Sequence, residues 1–164
     1  MHEGALVLLQ RGIVDKEILI GERPRSCGQR VRVNAPGTHR ELSEPLKHCA
    51  QNVVLAQTGL KVRSQHMREG ALVRIYDGST PTMNMFVYVA ERFTGELLDS
   101  ALMKKLRWVS TESLPYARMH AGDEFWMERF FMGNRGTFHL YFDGPDEFVD
   151  GRLEDAQPFK ETSW

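Results

Sequence analysis

Residues 34–60 read "NAPGTHRELSEPLKHCAQNVVLAQTGL". The stretch has the build of a loop followed by a helix. Pro36 and Gly37 break any preceding strand. Glu44 and Pro45 suit a helix start, because proline is tolerated in the first turn and an acid complements the N-terminal dipole. Leu46, Ala50, Val53, Val54 and Gln57 recur at three- and four-residue spacing and so form one buried face. Gly59 is a natural C-terminal stop. After Glu44 this helix carries no carboxylate at all.

Working outward, "GALVLLQ" (4–10) is a nearly continuous apolar run and predicts a buried strand. "RGIVDK" (11–16) is a turn, and "EILIGER" (17–23) a second strand pairing back on the first. "PRSCGQR" (24–30) is a loop, "VRVN" (31–34) a brief strand, and "APG" (35–37) ends it. Residues 60–77 are predicted to be extended. "MNMFVYVAERF" (83–93) is the most apolar strand. "LRWVSTESLP" (106–115) predicts a strand running into a turn. "GDEFWMERFFMG" (122–133) predicts a helix with aromatic positions at Phe125, Phe130 and Phe131. Residues 136–154 predict a hairpin about "DGPD". Strands, helix, strands, helix, hairpin is the order of a mixed α+β protein.

The chain has 164 residues, enough for one domain with a proper core, and the expectation is a single domain over 1–164. A formal net charge of −1 gives no global drive towards nucleic acid, which is not an expected partner. Arg23, Arg25, Arg30 and Arg32 do form a local basic cluster. Two cysteines, Cys27 and Cys49, are too few for a disulfide framework, and a reducing, cytoplasmic setting is expected. No apolar run approaches the roughly 20 residues that span a bilayer.

The chain resembles the Nudix hydrolases, and within them the oxidised-purine nucleoside triphosphatases related to MutT. The resemblance rests on residues 34–60, on "RWVSTESLPYARMHAGDEFW" (107–126) and on the terminal hairpin. It implies a mixed β-sheet core sandwiched between helices (α/β/α). The family's box is glycine, five residues, glutamate, seven residues, then Arg-Glu-apolar-any-Glu-Glu-any-Gly-apolar. Anchored on Gly59 and Leu60, Glu44 stands at the first glutamate and Thr38 at the glycine, with Gly37 just before. Asn52 stands at the arginine, Val53 at the next glutamate, and Ala56 and Gln57 at the glutamate pair. A further glutamate of this branch falls near Met103. In the family these carboxylates hold Mg²⁺ or Mn²⁺ on one helix face. Valine and alanine offer no oxygen and glutamine no charge, so the implied box is degenerate and neither metal is expected to bind it. Glu41, Glu44, Asp123 and Glu124 are the carboxylates that remain nearby.

The base end of the implied site is better matched. Asn34, Met83, Asp123 and Trp126 stand at or near the branch's base-contacting places, with Gly122 replacing one of two paired aspartates and His120 replacing a stacking tryptophan. Arg23 and Arg32 are candidates for an anionic group. Each has a plainer role to weigh: Asn34 satisfying a strand end, Met83 and Trp126 as core, Asp123 as a helix cap, the arginines as a solvated face. Cys49 and His48, adjacent on the helix, point about 100° apart, which disfavours a zinc site; a Cys-His nucleophile–base pair stands beside the plainer reading of a small buried cysteine and exposed histidines.

Three functional expectations follow. The first is a Nudix-fold protein that does not hydrolyse diphosphates and binds a nucleotide or other planar small molecule. The second is a metal-independent enzyme of specialised metabolism reusing the pocket for acid–base isomerisation, cyclisation or hydrolysis, with His39, Glu41 and Glu44 as candidate groups. The third is residual nucleoside triphosphate pyrophosphohydrolase activity. A homodimer or other protein partner is the non-enzymatic alternative to a ligand.

Overall fold

A computed structural model describes residues 1–24, 32–40 and 44–155. Its elements are β1 (His2–Arg11), β2 (Glu17–Glu22), β3 (Val33–Asn34), β4 (Gly37–His39), α1 (Leu46–Thr58), β5 (Leu60–Lys61), β6 (Arg68–Asp77), β7 (Thr80–Ala90), β8 (Thr94–Gly95), β9 (Lys104–Ser110), α2 (Asp123–Phe131), β10 (Thr137–Phe142) and β11 (Phe148–Glu154).

β1 is apolar from Ala5 to Leu9 because both faces are covered there. Leu6 and Leu8 enter the cluster beneath α2, while Ala5, Val7 and Leu9 enter the cluster beneath α1. The sheet order is β11-β10-β6-β7-β1-β2-β3, with β4 also on β1 and β9 on β2. β1 runs parallel to β7 over eight residue pairs. Its other edge changes partner midway, from β4 at Gly4–Leu6 to β2 at Gln10–Arg11. α1 and α2 on opposite faces give the expected α/β/α layering of a mixed sheet.

α1 buries Leu46, Ala50, Val53, Val54 and Gln57, the predicted face, together with Cys49. Each large aliphatic side chain so buried contributes roughly 1.5–3 kcal/mol. Gly59 ends the helix at φ 80°, and a Cβ there would lie 2.5 Å from the Glu96 carbonyl oxygen. A side chain is therefore excluded twice over.

The structure refines three expectations. Gly37 does not simply break a strand: Gly37–His39 forms β4, because the turn at Ala35–Pro36 brings the chain back antiparallel to β1. Residues 60–77 are not continuously extended, since a short 3₁₀ turn over Ser64–His66 separates β5 from β6. In α2 the buried positions are Trp126, Met127 and Phe130, whereas Phe125 and Phe131 are half-buried at its margins.

Candidate functional site

Between the α2 face of the sheet and the loop before α2 lies a cavity of about 480 Å³, within the range of small-molecule sites. Its wall includes Asn34 from β3, His39 from β4, Met83 from β7, and His120, Asp123 and Trp126 from α2 and the turn before it. Arg32 stands on the wall as well. Seven of the ten candidate residues thus face one space. Leu6, Val73, Met85, Leu140 and Phe142 are among its apolar lining.

Asp123 is the polar anchor. Its carboxylate accepts from the Trp126 indole N–H at 3.0 Å and from the His120 backbone N–H at 3.1 Å. Burial pushes its pKa up to about 6, against the pull of those two donors and of Arg32. It does not cap α2 through its side chain, since the N-cap is Gly122 in a left-handed conformation. Trp126 is both core and wall. Asn34 serves its strand end, its Oδ1 accepting the Ala35 N–H at 2.8 Å, while also lining the cavity.

Arg32 ties the mouth of the cavity. One guanidinium nitrogen lies 2.6 Å from His120 Nδ1, and the other donates to Asp146 at 2.6 Å in the β10–β11 turn. An arginine has no proton to lose here, so His120 Nδ1 is the acceptor and the ring proton sits on Nε2. Burial, then Arg32 and Arg23, hold the His120 pKa below its ordinary value, with Asp146 opposing.

Other candidates lie apart. Arg23 turns from the cavity and donates to the carbonyls of Ala35 and Gly37, at 3.3 and 2.7 Å. Burial lowers its pKa. Glu44 is not in the cavity wall; its carboxylate accepts from Asn52 at 3.0 Å, tying the start of α1 to its second turn. Glu41, Arg25, Arg30 and Cys27 lie outside the described residues. His48 is exposed and Cys49 buried, as their helical spacing implies.

Gln57 has a defined task. Its Oε1 accepts the Gly37 N–H at 3.1 Å and its Nε2 donates to the Gly37 carbonyl at 3.0 Å. Gly37 packs so closely on β1 that a Cβ would sit 2.8 Å from Leu6 Cδ1. Val53 is buried and Ala56 exposed. Met103 is fully buried, against Gly21. Among the described residues, no three His, Cys, Asp or Glu side chains gather in a way that could hold a metal ion.

Sequence reasoning missed two features. Tyr76 and Asp77 also line the cavity, at the end of β6. Nearby, a chain of hydrogen bonds crosses three strands: Tyr76 Oη to His139 Nδ1 at 2.7 Å, and His139 Nε2 to Glu154 at 2.7 Å. The available signal was a histidine between Phe138 and Leu140, a polar residue alternating with core positions.

No protein-family model matches the sequence, and no curated protein sequence matches it. Solved structures do. The mutator MutT protein of Bacillus halodurans superposes with a TM-score of 0.75 at 18% identity, covering 96% of this chain and 100% of that one. A MutT Nudix hydrolase from Burkholderia pseudomallei gives 0.63 at 18% identity over 77% and 95%. The Nudix hydrolase RenU from M. smegmatis gives 0.59 at 20% identity over 80% and 84%. With TM-scores of 0.59–0.75 over 77–96% of its length, this chain has the Nudix fold.

Proposed function

We propose that this protein does not cleave diphosphate linkages by the metal-dependent route of Nudix hydrolases, and that it binds a nucleotide or another planar small molecule in the cavity beside α2. The observation that carries the reading is the Gln57–Gly37 pair. Gln57 spends both its amide atoms on the backbone, and the helix offers no carboxylate for a hard divalent cation. Mg²⁺ and Mn²⁺ accordingly have no role in this proposal. The cavity keeps an apolar wall with a few converging polar groups, as ligand sites do.

The test is thermal stability of the purified protein against nucleoside mono-, di- and triphosphates, with Mg²⁺, Mn²⁺ or EDTA. Phosphate and pyrophosphate release is assayed in the same wells. Stabilisation that survives EDTA without release is the expected result. Metal-dependent release would overturn the proposal and favour a residual pyrophosphohydrolase.

One observation favours a second reading, metal-independent acid–base chemistry. His39, His120 and Asp123 share one cavity, and Asp123 titrates near neutrality. Turnover of a candidate substrate in EDTA that is lost in His39→Ala and Asp123→Asn would establish this alternative.

A further inference from the structure

Gly4 leaves a gap on one face of β1, and four side chains with soft or borderline donor atoms surround it. Side chains alternate faces along a strand, so His2 and Gly4 share the face of Leu6. Gly4 is paired with His39 on β4 and with Met85 on β7, and His2 is paired with Met83. Register partners present their side chains to the same face. His2, His39, Met83 and Met85 therefore gather around the one position that carries no side chain. A Cβ at residue 4 would sit 3.3 Å from Met83 Cε and 3.4 Å from Met85 Sδ. It would also lie 2.7 Å from the Thr38 carbonyl oxygen, so the backbone of β4 excludes a side chain here.

The His2 and His39 ring centroids are 5.6 Å apart. Two imidazoles that share one ion, with metal–nitrogen bonds of about 2.0 Å, place their centroids roughly 5–6 Å apart. Both rings are exposed, so a nitrogen of each can turn to the gap without disturbing the core, and both thioethers are half-buried beside it.

We propose that His2, His39, Met83 and Met85 form a binding site for Cu⁺. Thioether sulfur is a soft donor that selects Cu⁺, and imidazole suits copper as well. Neutral imidazoles and thioethers bring no negative charge, which fits a soft monovalent ion and not Mg²⁺ or Mn²⁺, whose sites are built from oxygen. Zn²⁺ takes thiolate, imidazole or carboxylate, and of these the set supplies only two imidazoles. His39, Met83 and Met85 belong to the cavity wall and His2 does not, so the ion would sit at the edge of the cavity. The proposal does not depend on what organic ligand the cavity takes.

The test uses Cys27→Ser protein, which removes the one thiol besides the buried Cys49. Cu⁺, kept reduced by ascorbate without oxygen, is titrated against the chelator bicinchoninate. Ag⁺, a redox-inert stand-in, is titrated separately while the methionine ε-methyl signals are followed by NMR. The expected result is one equivalent bound, with the Met83 and Met85 methyls shifting together until one equivalent is reached. Met85→Leu and His39→Ala should each weaken Cu⁺ at least tenfold. Leucine keeps the volume of methionine, so the first variant removes the sulfur and little else. His48→Ala, an exposed histidine on α1, should leave the affinity unchanged. Methyl signals of Met83 and Met85 that do not move would overturn the proposal, and they read it in the protein without any variant at the site. An affinity unchanged in Met85→Leu and Met83→Leu would overturn it too, as binding would then come from surface histidines alone. Either failure leaves the reading of the cavity as an organic ligand site untouched.

Discussion

Gln57 and Gly37 exchange two hydrogen bonds, amide to backbone in both directions, across the boundary between α1 and β4. A glutamate cannot reproduce both. In Gln57→Glu the carboxylate would face the Gly37 carbonyl oxygen at a position only 5% exposed. The expected loss is about 3 kcal/mol at neutral pH, the range for an unsatisfied buried charge or acceptor. The cost should shrink as pH falls, because a protonated glutamic acid regains the donor. Urea denaturation at pH 5 and pH 8 measures both terms. An equal loss at the two pH values would contradict the two-way bond. The variant is expected to gain no metal-dependent phosphate release, since Val53 and Ala56 remain.

Asp123 gives a second measurable consequence. Its folded pKa is raised from 3.8 to about 6, so the fold favours the neutral acid. That contribution is complete below 3.8 and is lost as pH rises through about 6. With allowance for solvent screening the term is about 2 kcal/mol. Asp123→Asn, which mimics the neutral acid, should flatten the wild-type decline in stability between pH 4 and 7. Carbon-13 titration of the carboxyl group checks the pKa directly, and a midpoint near 4 would refute it.

His120 shifts the other way. Its pKa lies below 6.5 because burial and Arg32 disfavour the imidazolium. A depressed histidine resists protonation, so its contribution is present above pH 6.5 and is lost as pH falls through the folded value. Proton NMR of the ring should show a midpoint below that of a free histidine. In Arg32→Ala the midpoint should rise, as a positive neighbour is removed. In Asp146→Asn it should fall, because Asp146 is the group that raises it.

His139 is buried between Tyr76 and Glu154, and its ring bridges three adjacent strands. The arrangement that satisfies all three groups has Nε2–H donating to Glu154 and Nδ1 accepting from Tyr76. His139→Ala removes both bonds and leaves a void, with an expected cost of about 2–4 kcal/mol in a thermal or urea melt. Glu154→Gln should cost much less, since its side chain is 56% exposed. Its carboxyl is held below the usual range by His139, so the wild type should lose that contribution as pH falls through the depressed value, and the glutamine variant should not.

Much of this fold could be read from local pattern, and some could not. α1 was legible because five apolar or buried positions recur at helical spacing and Gly59 ends them. β1 was legible because an unbroken apolar run of that length needs both faces covered. β4 was not, since a three-residue strand is set by where Pro36 returns the chain to β1, not by its own propensity. Of the site, the gathering of Asn34, Met83, His120, Asp123 and Trp126 was anticipated through resemblance, and the structure does bring them to one cavity. The partners of Gln57, Arg23 and Arg32 were not legible. Those bonds join residues 20, 14 and 114 positions apart, and only tertiary geometry sets them.

The switch of partners along β1 has a consequence for how the molecule opens. Its amides are shared among β7, β4 and β2, and its side chains are locked under both helices, so no local fluctuation frees them. Their hydrogen exchange should proceed only through global unfolding, while amides of the edge strand β11 exchange through local fraying. A ligand seated in the cavity would then slow β1 exchange by the factor 1 + [L]/Kd. This interior strand is therefore an internal gauge of occupancy, readable without knowing what the ligand does.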